Sequence, residues 1–119
     1  MAYTENYRVT NARKVNSSKY PDGWLYILKI CNHDIYKIGV SQNPKRRIRD
    51  IKSHLPFESK VLFLGNFVDV YELEKCIHEL FHENKLRNEW FNSYKEDIDD
   101  LIRSLKYAYL KENNLLIDG

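Results

Sequence analysis

The stretch "YKIGVSQNPKRRIRDI", Tyr36 to Ile51, changes its period halfway along. Up to Gly39 it reads as an apolar strand. From Pro44 onward the apolar residues are Ile48, Ile51 and, just beyond, Leu55, which is helical spacing. Between the two halves, Asn43 can accept a backbone N–H as a helix cap, and Pro44 takes a first-turn position where its missing donor costs nothing. The stretch therefore predicts a strand, a polar turn and a helix. It also places a phenol, an amine and several guanidiniums close together. That is either ordinary surface charge or one wall of a phosphate site.

Working outward, "WLYILKI" (Trp24–Ile30) is aromatic and branched on both faces, the pattern of a well-buried strand. "CNHD" turns the chain back, so the two strands are expected to form an antiparallel hairpin. Beyond the helix, "HLPFES" breaks the pattern. "KVLFLGNF" is a third strand, apolar enough to be covered on both sides. Asp69 is expected to cap a second helix with a stripe of Val70, Leu73, Ile77, Leu80 and Phe81. That helix runs out near "ENKLRN", and "EWF" (Glu89–Phe91) is a short extended piece. A last helix begins near Ser93 or Tyr94. Its early acids Glu96, Asp97, Asp99 and Asp100 suit the positive end of the helix dipole, and its stripe is Ile98, Leu101, Ile102, Leu105 and Tyr109. The predicted order is β-β-α-β-α-(β)-α. The expected fold class is a small α/β domain, a three-stranded mixed or antiparallel sheet flanked by helices.

With 119 residues, 43% of them hydrophobic, the chain can bury one core. The expected boundaries are a basic arm over 1–22, one domain over 23–112 and a frayed tail over 113–119. No apolar run reaches the length of a membrane helix, and "MAYTENYRVTNARK" has no apolar signal-peptide centre, so a cytoplasmic protein without a membrane partner is expected. Cys31 and Cys76 lie in different elements without a CxxC pattern, which fits reduced thiols. Residues 1–60 carry twelve Lys/Arg against five Asp/Glu, a formal +7; residues 61–119 carry seven against twelve, a formal −5. Such asymmetry suits a protein that meets a polyanion on one side, or two halves that simply attract each other.

Four groups of residues could carry chemistry. Tyr26 faces the hairpin partner that holds Tyr36 and Lys37, and strand alternation allows only one of those two to share its face. A phenol or amine there can take a proton from water once its pKa is lowered, although strands also favour tyrosine for its shape. In the basic helix, Arg47 borders the buried stripe and can fork onto a phosphate. Lys45, Arg46, Arg49 and Lys52 can hold a nucleic-acid backbone, or merely keep the helix soluble. In "ELEKCIHELFH", Glu74, His78 and His82 recur at i, i+4, i+8. Glu74 alone suffices for a hard ion such as Mg²⁺, all three together would suit zinc, and an amphipathic helix would need neither. In "NEWF", Glu89 and Trp90 are either a rigid half-buried edge or a core plug.

Taken in order, "LYIL", "YKIG", "SQNPKRR" with an Arg eight residues after the Gly, "ELEKCIHELF" and "NEWF" resemble the GIY-YIG nuclease superfamily over Trp24–Phe91. That superfamily includes intron homing endonucleases, excision-repair nucleases and some restriction enzymes. The similarity is closest to a divergent phage and bacterial branch with a K-I-G second signature and a Glu-(Trp/Phe)-Phe end. The resemblance implies that Tyr26 is the first-signature tyrosine. Lys37, with Tyr36 beside it, takes the place of the second. Arg47 is then the family arginine, and Glu74 the single ligand of Mg²⁺ or Mn²⁺. It further implies branch-specific catalytic and supporting places for His78, Glu89, Trp90 and Gly39. Ile51 stands where many members have Tyr or His, and Asn88 and Asn92 lie near the place of the late family asparagine. The implied activity is one-metal hydrolysis of DNA, in the host cytoplasm if the protein is phage-encoded. Lys45, Arg46, Arg49, Lys52, Arg13 and Lys14 would grip the backbone. So small a chain has little room for base-reading elements, so weak intrinsic sequence specificity, or specificity lent by a second copy or a partner protein, is expected. The alternative is a binding module without turnover.

Overall fold

The computed structural model describes residues 22–114, so the basic arm with Arg13 and Lys14 lies outside the described residues. The hairpin forms as expected. β1 (Asp22–Ile30) pairs antiparallel with β2 (Ile35–Ser41), with Tyr26 opposite Gly39 and Leu28 opposite Lys37. α1 (Pro44–His54) follows, and its first turn is closed by the Asn43 side chain, which accepts from the Arg46 N–H at 3.3 Å. β3 (Ser59–Val68) then pairs with the other side of β1. The remaining elements are α2 (Val70–Leu80), a short 3₁₀ turn (His82–Asn84), β4 (Lys85–Arg87), β5 (Trp90–Asn92) and α3 (Lys95–Glu112).

The fold is α/β, as expected, with one correction. Among the described residues the sheet has five strands, not three, in the order β3-β1-β2-β5-β4, and every pairing is antiparallel, one of the two arrangements expected. β4 and β5 are three residues each, too short to show alternation in sequence, and they become strands only because β2 offers an edge. Two local readings also change. Asp69 occupies the cap position of α2 in the left-handed region (φ 59°) and makes no side-chain cap bond. Leu80, expected in the core, is 74% exposed.

Alternation along the strands builds two apolar layers. On one face, Tyr26, Leu28 and Leu64 pack under Ile48, Ile51 and Leu55 of α1, with Trp24 and Trp90 at the sides. On the other, Leu25, Ile27, Tyr36, Ile38, Phe63 and Phe91 pack against α2 and α3 through Val70, Ile77, Ile98, Ile102 and Leu105. β3 is covered on both sides, as its unbroken apolar run suggested. Because β5 pairs only with Ile35–Lys37, the second half of β2 has no strand neighbour on that side among the described residues. The candidate site lies there.

Candidate functional site

Ile38 is the first β2 residue beyond the β5 pairing, and its backbone groups are satisfied in another way. Its N–H donates to the Glu89 carbonyl at 3.1 Å. Its carbonyl accepts from His78 Nε2 at 2.9 Å. A carbonyl only accepts, so His78 carries its proton on Nε2. Two backbone bonds that a longer β5 would make thus anchor the β4–β5 turn and the last turn of α2 against the same strand.

Around this anchor, side chains converge from both faces of the sheet. Tyr26 is fully buried, and its hydroxyl reaches across to Gly39. A methyl on Gly39 would stand 2.5 Å from that hydroxyl and 2.7 Å from Glu89 Oε1, so the phenol and the carboxylate occupy space that only glycine leaves open. Lys37, two residues earlier on the same face, is buried. It ion-pairs with Glu89 Oε1 at 3.2 Å and stands 5.1 Å over the Trp90 ring. Arg47 comes in from the first turn of α1. Glu74 and His78 come from α2, 3.8 Å apart and so short of a hydrogen bond, and the His78 ring packs edge-on against Phe91. Lys37, Arg47, Glu74, His78 and Glu89 line one open cleft of about 530 Å³ together with Lys85 and Asn88.

Burial and neighbouring charges shift the titrating groups around the cleft. Burial raises the Tyr26 phenol above its usual range and the Glu89 charge adds to this, while the Arg47 guanidinium beside it pulls the other way. The Tyr26 oxygen in turn strengthens Arg47's hold on its proton. Burial also raises Glu74, and the Glu89 charge pushes in the same direction, more than His78 and Lys37 offset. Among the described residues, the Tyr26 hydroxyl has no well-aligned hydrogen-bond partner, and Glu89 Oε1 has none beyond its ion pair. Buried polar atoms left in this way are costly unless something else meets them. Glu74, a desolvated carboxylate beside a second one, fits a hard divalent cation, which needs only one or two protein oxygens.

Other expected residues stand elsewhere. Tyr36 points to the opposite face of the sheet, buried in the larger core, with its phenol pushed up to about 12 by burial; it does not join Tyr26. Lys37 is the residue that alternation allows. His82 is turned onto the Glu79 carbonyl, and among the described residues no three His, Cys, Asp or Glu side chains gather for a metal, so the zinc trio does not form. Lys45, Arg46, Arg49 and Lys52 are exposed on α1 outside the cleft, and the Lys52 amine bonds to the Ser59 carbonyl. At about 100° per residue, Lys45 and Arg49 fall on the far side of the helix from Arg47. Trp90 lies under the Lys37 amine. Sequence reasoning missed Lys85 in the cleft: a lone lysine in "ENKLRN" gives no signal until β4 is known to fold back. Asn88 lines the cleft, whereas Asn92 does not.

The T5orf172 domain family matches residues 23–106, and the chain belongs to that family, which is associated with nuclease and DNA-binding roles. No curated protein and no solved structure matches the chain. Among the described residues, no helix is long and apolar enough to cross a membrane.

Proposed function

Starting from membership of the T5orf172 family, we propose that this protein is a divalent-metal-dependent DNA endonuclease of GIY-YIG type. One observation carries the proposal: Arg47 and Glu74, from two helices separated in sequence, line one cleft with Lys37, His78 and Glu89, and the buried Tyr26 hydroxyl lies behind it beside Arg47 and within the field of Glu89 and Glu74. Phosphodiester hydrolysis needs an activated water, charge relief on the phosphate and help for the leaving oxygen. Glu74 would hold Mg²⁺ or Mn²⁺, and such an ion supplies electrophilic polarisation of the phosphate and stabilises the leaving group.

The chain's own residues do the rest. Arg47 forks onto a non-bridging oxygen and binds it more tightly as charge builds there. Lys37, held by Glu89, adds positive charge at fixed distance and keeps the phosphate over the site. Tyr26 accepts the water's proton from its ionised form, a small fraction at neutral pH because burial raises its pKa. His78 uses its Nε2 proton on the Ile38 carbonyl and so fixes α2, and with it Glu74, against β2.

The test is incubation of the purified protein with several DNA structures in Mg²⁺, Mn²⁺ or chelator. Cleavage should require metal, and Glu74→Ala should abolish it with the fold intact; full cleavage by that variant removes the metal assignment. A second reading, a binding module without turnover, draws on Lys37, an ion-paired amine at the place of the second family tyrosine. Arg47→Ala separates the two. An enzyme loses about 10²–10³-fold in rate with little loss of affinity, whereas a binder loses affinity alone.

A further inference from the structure

Beside the cleft lies a second groove of about 500 Å³, and Lys37 and Arg47 form the wall between them, lining both. The two differ in chemistry. The cleft is lined by charged and polar groups, whereas the groove is walled by Ile51, Leu55 and Trp90, with Asp50 and His54 also lining it. Its volume lies within the range of small-molecule sites and accommodates one nucleoside. The Asp50 carboxylate disfavours a second phosphate on its own side of the groove, and the apolar walls suit an uncharged ring there. His54 Nδ1 donates to the Asp50 carbonyl at 2.8 Å, which leaves Nε2 of the neutral ring as an acceptor. Asp50 and His54 therefore offer acceptors, the complement of an exocyclic amino group on a base.

We infer that this groove receives the base of one unpaired nucleotide adjoining a phosphate held at Arg47 and Lys37, so that the substrate class is nucleic acid with an unstacked, amino-bearing base. The inference rests on the nuclease reading for the place of the phosphate. A base within continuous duplex is stacked and paired and cannot enter without being extruded, whereas a bulge, flap or single strand presents it at little cost.

Binding in chelator tests this without cleavage. Fluorescence anisotropy of the full chain compares a labelled duplex, the same duplex with a one-cytosine bulge, one with a one-thymine bulge, and one whose bulge is abasic. The cytosine bulge should bind about tenfold more tightly than the duplex, the range of one base on an aromatic wall. The abasic bulge should fall back to the duplex, and the thymine bulge, which keeps the ring but lacks the amino group, should bind between the abasic and cytosine bulges. In a double variant of two exposed residues, Asp50→Ala with His54→Ala, the cytosine bulge should lose its advantage over the thymine bulge while both still bind more tightly than the abasic one. Equal affinity for cytosine and abasic bulges overturns the inference, as does a cytosine-to-thymine preference unchanged in the double variant. Metal-dependent cutting of all probes with equal binding sinks the groove and leaves the nuclease standing. Cytosine-dependent binding without any cutting does the reverse, and no binding of any probe overturns both.

Discussion

At Gly39 an added methyl has nowhere to go, because the atoms it meets are a phenol ring fixed in the core and a carboxylate tied to Lys37. Gly39→Ala should therefore destabilise the fold by about 1–3 kcal/mol, the usual range for overpacking, and should cost activity beyond that loss by displacing Tyr26. Denaturant titration alongside the cleavage assay separates the two effects, and an alanine variant of unchanged stability and rate would contradict the geometry. Tyr26 gives a prediction in pH. Its pKa is raised, so the ionised fraction is small at neutral pH and grows with every step upward. If the phenolate takes the water's proton, kcat/KM climbs through neutral pH and beyond the ordinary phenol range. Tyr26→Phe should remove the climb and lower the rate by about 10²-fold or more. A phenylalanine variant that keeps the slope assigns the proton elsewhere.

The β4–β5 hairpin is the element on which the site most depends. It turns at Asn88, which sits in the left-handed region at φ 55°, and Glu89 follows with its carbonyl bonded to the Ile38 N–H. Asparagine and glycine tolerate that backbone, but alanine pays roughly 1–2 kcal/mol for it. Asn88→Gly should keep stability within a few tenths of a kcal/mol, and Asn88→Ala should lose about 1 kcal/mol, both read by chemical denaturation. Of this hairpin the sequence announced only the extended piece "EWF", which β5 overlaps, and not β4 or the pairing. "WLYILKI", "YKIG" and the α1 stripe are long enough for their periods to be read, and they fold as read. "KLR" and "WFN" are three residues each, and no period exists over three residues. Asp69 failed as a cap for a related reason: its residue type fits the position, but its left-handed backbone makes no side-chain cap bond.

Over the whole molecule, the site carries a stability cost that a ligand should relieve. The Glu74 carboxyl is raised by burial and by the Glu89 charge, so the folded chain binds that proton more tightly than the unfolded chain does. Above the folded pKa this difference subtracts from stability, and the loss is recovered as pH falls through that pKa. In chelator at neutral pH, Glu74→Gln should therefore melt higher than the parent chain. With Mg²⁺ or Mn²⁺ at a hundredfold excess over its Kd, the parent should gain about 2.7 kcal/mol and the glutamine variant nothing. Equal metal-induced shifts in both chains would place the ion away from Glu74.

The sequence by itself determined the hairpin, the capped basic helix and the buried stripes, because each depends on contacts between near neighbours whose spacing is written in the chain. It also named Tyr26, Lys37, Arg47, Glu74, His78 and Glu89, since each sits in a short motif. Only the tertiary structure decided that Lys37 rather than Tyr36 faces Tyr26, that the pairing with β5 stops at Lys37, and that α2 therefore bonds to the half of β2 left without that strand neighbour. Those outcomes depend on which distant segments compete for one strand edge, and an edge has no sequence signature until its partners arrive.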